Sequence, residues 1–176
     1  MALENQASVA AAAANSLSGV TVRIQHEDFD VSAEIARLRA GKPQIGAVAT
    51  FIGVARDCNE GATVTGLVLE HYPGMTERAL QEIGAQARQR WGVIDILIVH
   101  RIGELQPLDQ IVLVAVTGAH RGEAFAACEF VMDYLKTDAP FWKREVTSQG
   151  ARWVETRATD EDARARWAGD ADVNDQ

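Results

Sequence analysis

Apolar residues recur at helical spacing in three stretches of the chain and at strand spacing between them. Asp30 to Ala40 places Val31, Ile35 and Leu38 on one side, with Gly41 and Pro43 behind as stop signals, and reads as a short helix. Gly46 to Val54 (G-A-V-A-T-F-I-G-V) is an apolar β-rich run. Val64 to Tyr72 is a second strand that turns polar at Glu70 and His71, and the polar stretch Ala55 to Ala62 between the two, with Gly61, reads as a loop. Met75 to Arg90 sets Ala79, Leu80, Ile83 and Ala87 at helical spacing, with Pro73-Gly74 in front and Gly92 behind. Val93 to His100 and Ile111 to Val116 are the most strand-like runs, and Leu105 to Asp109 turns between them at Pro107. Arg121 to Lys136 is a second long helix with Phe125, Cys128, Met132 and Leu135 spaced toward a core. Lys143 to Thr147 and Arg152 to Thr156 are a closing pair of short strands. This order predicts an α/β (α+β two-layer) domain with a mostly antiparallel sheet.

The chain has 176 residues, 47% of them hydrophobic and 24% charged, which suits one globular domain with a real core. The expected divisions are a disordered or frayed Ala-rich extension over 1–19, a single domain over 20–167 and an acidic disordered tail over 168–176. The run Ala10 to Ala14 is too short and too weakly apolar to span a bilayer, and Glu4 sits where a secretory leader carries positive charge. A formal net charge of -8 argues against nucleic acid as the main partner, since phosphate backbones need broad basic surfaces. Cys58 and Cys128 lack metal-ligand spacing. They fit free thiols in a reducing compartment, hence the cytoplasm, with no membrane partner and no metal.

Against that acidic background, Met132 to Glu145 (M-D-Y-L-K-T-D-A-P-F-W-K-R-E) gathers Lys136, Lys143 and Arg144 with Phe141 and Trp142 around Pro140. Pro140 cannot continue a helix and biases Ala139 to extended geometry, so the helix should stop near Thr137 and allow Lys136 and Lys143 to converge on something anionic and flat. Lys136 alone is also explained by helix-dipole complementarity. Lys143, flanked by aromatics, is suited to proton transfer or oxyanion stabilisation, unless it is an outward strand position paired with Glu145. His120 and Arg121 start a helix, where cations are disfavoured unless an anion shares the site or both side chains point to water. Arg56, in F-I-G-V-A-R-D, can fork onto phosphate or carboxylate, or be a solvated loop residue. His71 and His100 read as structural hydrogen-bonding groups at strand ends.

Leu69 to Leu80 (L-E-H-Y-P-G-M-T-E-R-A-L), Val99 to Leu105 (V-H-R-I-G-E-L), Ala119 to Arg121 and the Met132 to Glu145 motif together resemble the catalytic large subunit of molybdopterin synthase, over about Phe29 to Trp167. The resemblance implies an α/β hammerhead fold with a small additional antiparallel β subdomain. It also implies a homodimer within a heterotetramer, whose partner is a small ubiquitin-like sulfur-carrier subunit ending in a Gly-Gly thiocarboxylate. The implied reaction passes sulfur to cyclic pyranopterin monophosphate and makes the molybdopterin dithiolene, with no cofactor and no metal. By motif position, Lys136 and Lys143 fall on catalytic lysines. Arg56, His120, Arg121, Val54, Ala55, Arg144 and Glu145 fall on substrate-binding positions, and Phe51, Met132 and Arg157 on the carrier-tail pocket. The loop departs from the family's T-G-x-V-R, reading I-G-V-A-R from Ile52 to Arg56, so a threonine contact is lost and Val54 supplies no cation. A non-enzymatic docking module for the C-terminus of a ubiquitin-like partner is the alternative, and an unrelated small phosphoester enzyme a weaker third.

Overall fold

Asp95–Arg101 and Gln110–Gly118 are apolar on both faces, and strands of that kind need cover on two sides. A computed structural model of the protein, describing residues 16–17, 19–59, 62–147, 150–154 and 158–168, supplies that cover. In chain order the elements are β1 (Ser16–Leu17), β2 (Val20–Gln25), α1 (Val31–Arg39), β3 (Ala47–Val54), β4 (Cys58–Asn59), β5 (Ala62–His71) and α2 (Met75–Trp91). They continue with β6 (Asp95–Arg101), β7 (Gly103–Leu105), β8 (Gln110–Gly118), α3 (Arg121–Asp138), β9 (Phe141–Thr147), β10 (Gly150–Val154) and α4 (Ala158–Ala165). The first sheet has the order β1-β2-β6-β8-β3, with β2 and β6 parallel and the other pairs antiparallel. The second is antiparallel, in the order β10-β9-β5-β4 with β7 beside β5.

Alternation along β6 distributes the cover. Ile96 and Ile98 face a core shared with Leu80 and Ile83 of α2 and Ala124, Ala127 and Val131 of α3, whereas Leu97 and Val99 join Phe29 and Val31 on the α1 side. Asp30 caps α1, its carboxylate accepting from Ala33 N–H at 3.0 Å. Each fully buried aliphatic of this kind stabilises the fold by about 1.5–3 kcal/mol. Phe125, expected in the core, is instead 65% exposed, because it lies at the flank of the buried stripe that runs through Ala124, Cys128, Val131 and Leu135. Other departures are small. The fold begins before Val20, with β1 paired to β2, and the expected loop 55–62 contains the two-residue β4. The second strand of the closing hairpin is Gly150–Val154, and the rest of the expected Arg152 to Thr156 strand lies outside the described residues. Among the described residues, no helix is long and apolar enough to cross a membrane.

Gly84 lets α2 lie close against β2 of the sheet. A Cβ built there would stand 2.5 Å from Val20 Cγ1, and Val20 is buried and stiff at χ1. Alanine at that position normally favours a helix by about 1 kcal/mol. Overpacking reverses the sign here, and Gly84→Ala is expected to lower stability by roughly 1–3 kcal/mol in denaturant titrations.

Candidate functional site

The end of α3 and the start of β9 form one wall of a cleft of about 770 Å³. Ala139 ends the helix in extended geometry (φ -80°, ψ 128°), as Pro140 requires, and the chain enters β9 at Phe141. Thr76, fully buried, ties this corner down: its hydroxyl donates to the Pro140 carbonyl (3.1 Å) and accepts from Tyr72 N–H (3.0 Å). Lys136, one turn before the corner, and Lys143, just after it, both line the cleft. Leu67, Leu69, Val112, Leu135 and Phe141 give it apolar surface, and Trp142 forms part of its rim.

The opposite wall comes from β3. Its register against β8 shifts between Gly53 and Val54, and a bulge of this kind re-aims the side chains beyond it. Phe51 and Val54 line the cleft, and Arg56 joins them from the loop, held through Ala55 by hydrogen bonds with Asp109 O (2.9 Å) and Leu108 N–H (2.8 Å). Ala55 and Glu145 line an adjoining recess of about 50 Å³, also bordered by Arg56, Lys143 and Asn59.

Glu145 organises that recess. It is 2% exposed, accepts from Asn59 Nδ2 at 2.8 Å, and pairs with Lys143 Nζ (3.3 Å) and Arg152 Nη2 (3.2 Å). Burial, the largest single effect, pushes its carboxyl upward. The Asn59 amide, the Lys143 charge and the Arg152 guanidinium together outweigh burial and hold it below the ordinary carboxylate value. The nearest charge to Lys143 is therefore a carboxylate rather than another cation. Lys136 is likewise paired, with Asp160 of α4 at 3.3 Å. Helix α4 is fixed over α3 by Arg164–Asp138 (2.8 Å), and the turn behind it by Arg166–Asp133 (2.7 Å) and the Trp167 indole donating to Asp133 (2.7 Å).

A sequence model of the family described as MoaE protein matches residues 24–138. The chain belongs to the MoaE family. The molybdopterin synthase catalytic subunit of Ralstonia nicotianae is 67% identical over 147 residues, covering 84% of each chain. The Burkholderia ambifaria structure titled a molybdopterin biosynthesis MoaE protein is 60% identical with a TM-score of 0.74, covering 85% of this chain and 98% of that one. The Staphylococcus aureus molybdopterin synthase structure is 33% identical with a TM-score of 0.70, covering 80% and 99%.

On this MoaE-family fold, the expected site residues divide into groups. Lys136, Lys143, Arg56, Val54, Phe51 and Met132 stand around one cleft, with Ala55 and Glu145 in its recess. Arg144 does not join them, because strand alternation turns it to the other face of β9, where its guanidinium lies 5.8 Å from the Trp153 ring. His120 and Arg121 are also apart. Both are exposed at the start of α3, and that 18-residue helix separates them from the Lys136 end by about 25 Å. Arg157 lies outside the described residues.

Three contributors went unforeseen in the sequence. Asn59 and Arg152 reach Glu145 from 86 and 7 positions away, and Asp160 reaches Lys136 from 24. His100 makes the structural hydrogen bond expected of it, and also borders the cleft.

Proposed function

We propose that the chain is the catalytic subunit of a cytoplasmic molybdopterin synthase, a sulfurtransferase that moves sulfur from the C-terminal thiocarboxylate of a small ubiquitin-like carrier to cyclic pyranopterin monophosphate. What carries this reading is the convergence of Lys136 and Lys143 on one cleft with apolar surface and an aromatic rim, the shape and charge that suit an extended acyl tail meeting a flat anionic ring. At each of two side-chain carbons of the pterin the thiocarboxylate sulfur forms a C–S bond as a C–O bond breaks. The ester oxygen of the cyclic phosphate leaves at one carbon and an oxygen is lost as water at the other, and water then cleaves each resulting thioester. The carrier leaves as a carboxylate, so two carriers are consumed per dithiolene. Lys136 holds the acyl oxygen and stabilises its oxyanion, and Lys143 moves the protons that ring opening and sulfur addition require. Arg56 binds phosphate. His120 and Arg121 serve the cleft of the second protomer in a homodimer, which brings the far end of α3 within reach of substrate.

Mixing the protein with thiocarboxylated carrier and the pterin substrate tests this reading. Dithiolene product is expected, and a stable complex with the thiocarboxylate intact would reduce the protein to a docking module. Asp160 supplies a finer check. The incoming tail has to take Lys136 from Asp160, and an ion pair of this partial exposure is worth about 0.2–1 kcal/mol. Asp160→Asn is expected to tighten binding of a carrier-tail peptide by roughly 1.5- to 5-fold in calorimetric titration.

A further inference from the structure

His100 is a buried ring on the cleft wall to which the sulfur-transfer mechanism gives no task. It shares one face of β6 with Ile96 and Ile98, and its ring stacks on Phe141 with centroids 3.9 Å apart and planes 18° from parallel. Nδ1 lies 2.8 Å from the Arg101 carbonyl oxygen. A carbonyl only accepts, so Nδ1 carries the proton, and in the neutral ring Nε2 presents a lone pair. Burial disfavours the imidazolium and lowers the pKa to about 4, with the Arg101 hydrogen bond opposing and the neighbouring His71 assisting.

Nε2 has no protein partner among the described residues. Nor is it among their sealed side-chain nitrogens without a hydrogen bond, of which Arg144 Nε is one. It therefore reaches open volume, and the volume His100 borders is the cleft. The cationic groups there, Lys136, Lys143 and Arg56, can only donate, and the carboxylates of Asp138 and Asp160 are engaged by Arg164 and Lys136.

We propose that Nε2 of His100 is the hydrogen-bond acceptor that reads a ring N–H or hydroxyl of the bound heterocycle, fixing its orientation and rejecting anions of similar charge that lack such a donor. The identity of the heterocycle rests on the sulfur-transfer reading, and the acceptor geometry does not. Two substitutions separate the acceptor from the scaffold. Asn at this position can keep a donor near Arg101 O but offers nothing at the Nε2 position, whereas Gln can place its amide oxygen there.

Binding of cyclic pyranopterin monophosphate is measured by quenching of tryptophan fluorescence, with inorganic phosphate as a charge-only probe. His100→Asn is expected to weaken pterin binding about tenfold and leave phosphate binding unchanged, and His100→Gln to recover to within about threefold of the parent. Equal loss in both variants, or loss of phosphate binding in parallel, would assign His100 a purely structural role and overturn the proposal. Undiminished pterin binding by His100→Asn, or no pterin binding by the parent protein, would overturn it as well. Parent protein that binds the pterin with this pattern but yields no dithiolene with thiocarboxylated carrier would leave the acceptor in place and remove the sulfur-transfer reading.

Discussion

Lys136→Ala and Lys143→Ala are each expected to cut dithiolene formation by roughly 10²- to 10⁴-fold, the range over which proton transfer and oxyanion stabilisation act. Both side chains are partly exposed and paired at the cleft edge, so neither removal opens a core cavity. Thermal unfolding should stay close to that of the parent protein. The variants should differ in where the reaction stops. Lys143→Ala should still bind the tail but fail at sulfur addition and leave the carrier's thiocarboxylate unconsumed, whereas Lys136→Ala should bind the tail less tightly and accumulate the carrier–pterin thioester. Rapid-quench assays that monitor carrier and pterin separately distinguish the two, and near-parental turnover in either variant would remove the role assigned to that lysine.

Glu145→Gln carries the second large effect. The carboxylate is what Lys143 and Arg152 share, and the amide keeps its size while losing its charge. Lys143 then loses its anchor, and a reacting group displaced by about 1 Å can lose on the order of 10²-fold in rate. A loss of that order in kcat is expected, with carrier binding retained. The pH dependence of stability gives an independent reading. Folding holds the Glu145 carboxyl below its ordinary value of 4.5, so its ionised form stabilises the native state above that pH, and the contribution disappears as pH falls through the lower folded value. The stability gap between parent and Glu145→Gln should therefore be largest near neutrality and close on acidification below about pH 4.5. A gap that widens in acid would contradict the charge network.

Much of the frame was legible because local signals agreed. The periodic face of α2, that of α3 apart from Phe125, the Pro73-Gly74 start, the Gly92 stop and the extended residue before Pro140 each appear at the expected place. Val20–Gln25 carries an alternating pattern as plain as any, yet its parallel pairing with β6 depends on a partner more than 70 positions away. Strand order was illegible for the same reason. Helix α4 (A-T-D-E-D-A-R-A) has no apolar stripe to announce it, and it is held in place by ion pairs to α3 instead. In the site, Lys136 and Lys143 were readable because a single proline corner joins them. The Asn59–Glu145–Arg152 network and the Phe141–His100 stack were not, since each joins strands brought together only by the second sheet and its packing on the first. His120 and Arg121 have a clear helix-start signal. Reading Arg121 to Lys136 as one helix already sets this start and Lys136 at opposite ends of it, and the length of that helix keeps the two from sharing one cleft within a single chain.

A crystal structure of the protein with a peptide corresponding to the carrier's C-terminal tail, ending in Gly-Gly, addresses the central claim most directly. The account predicts the peptide in the cleft between α3 and β9, its terminal carboxylate within hydrogen-bond distance of Lys136 Nζ in place of Asp160, and Lys143 facing the adjoining volume. A tail seated on the outer face of β9, or at the start of α3 with the cleft left empty, would contradict it.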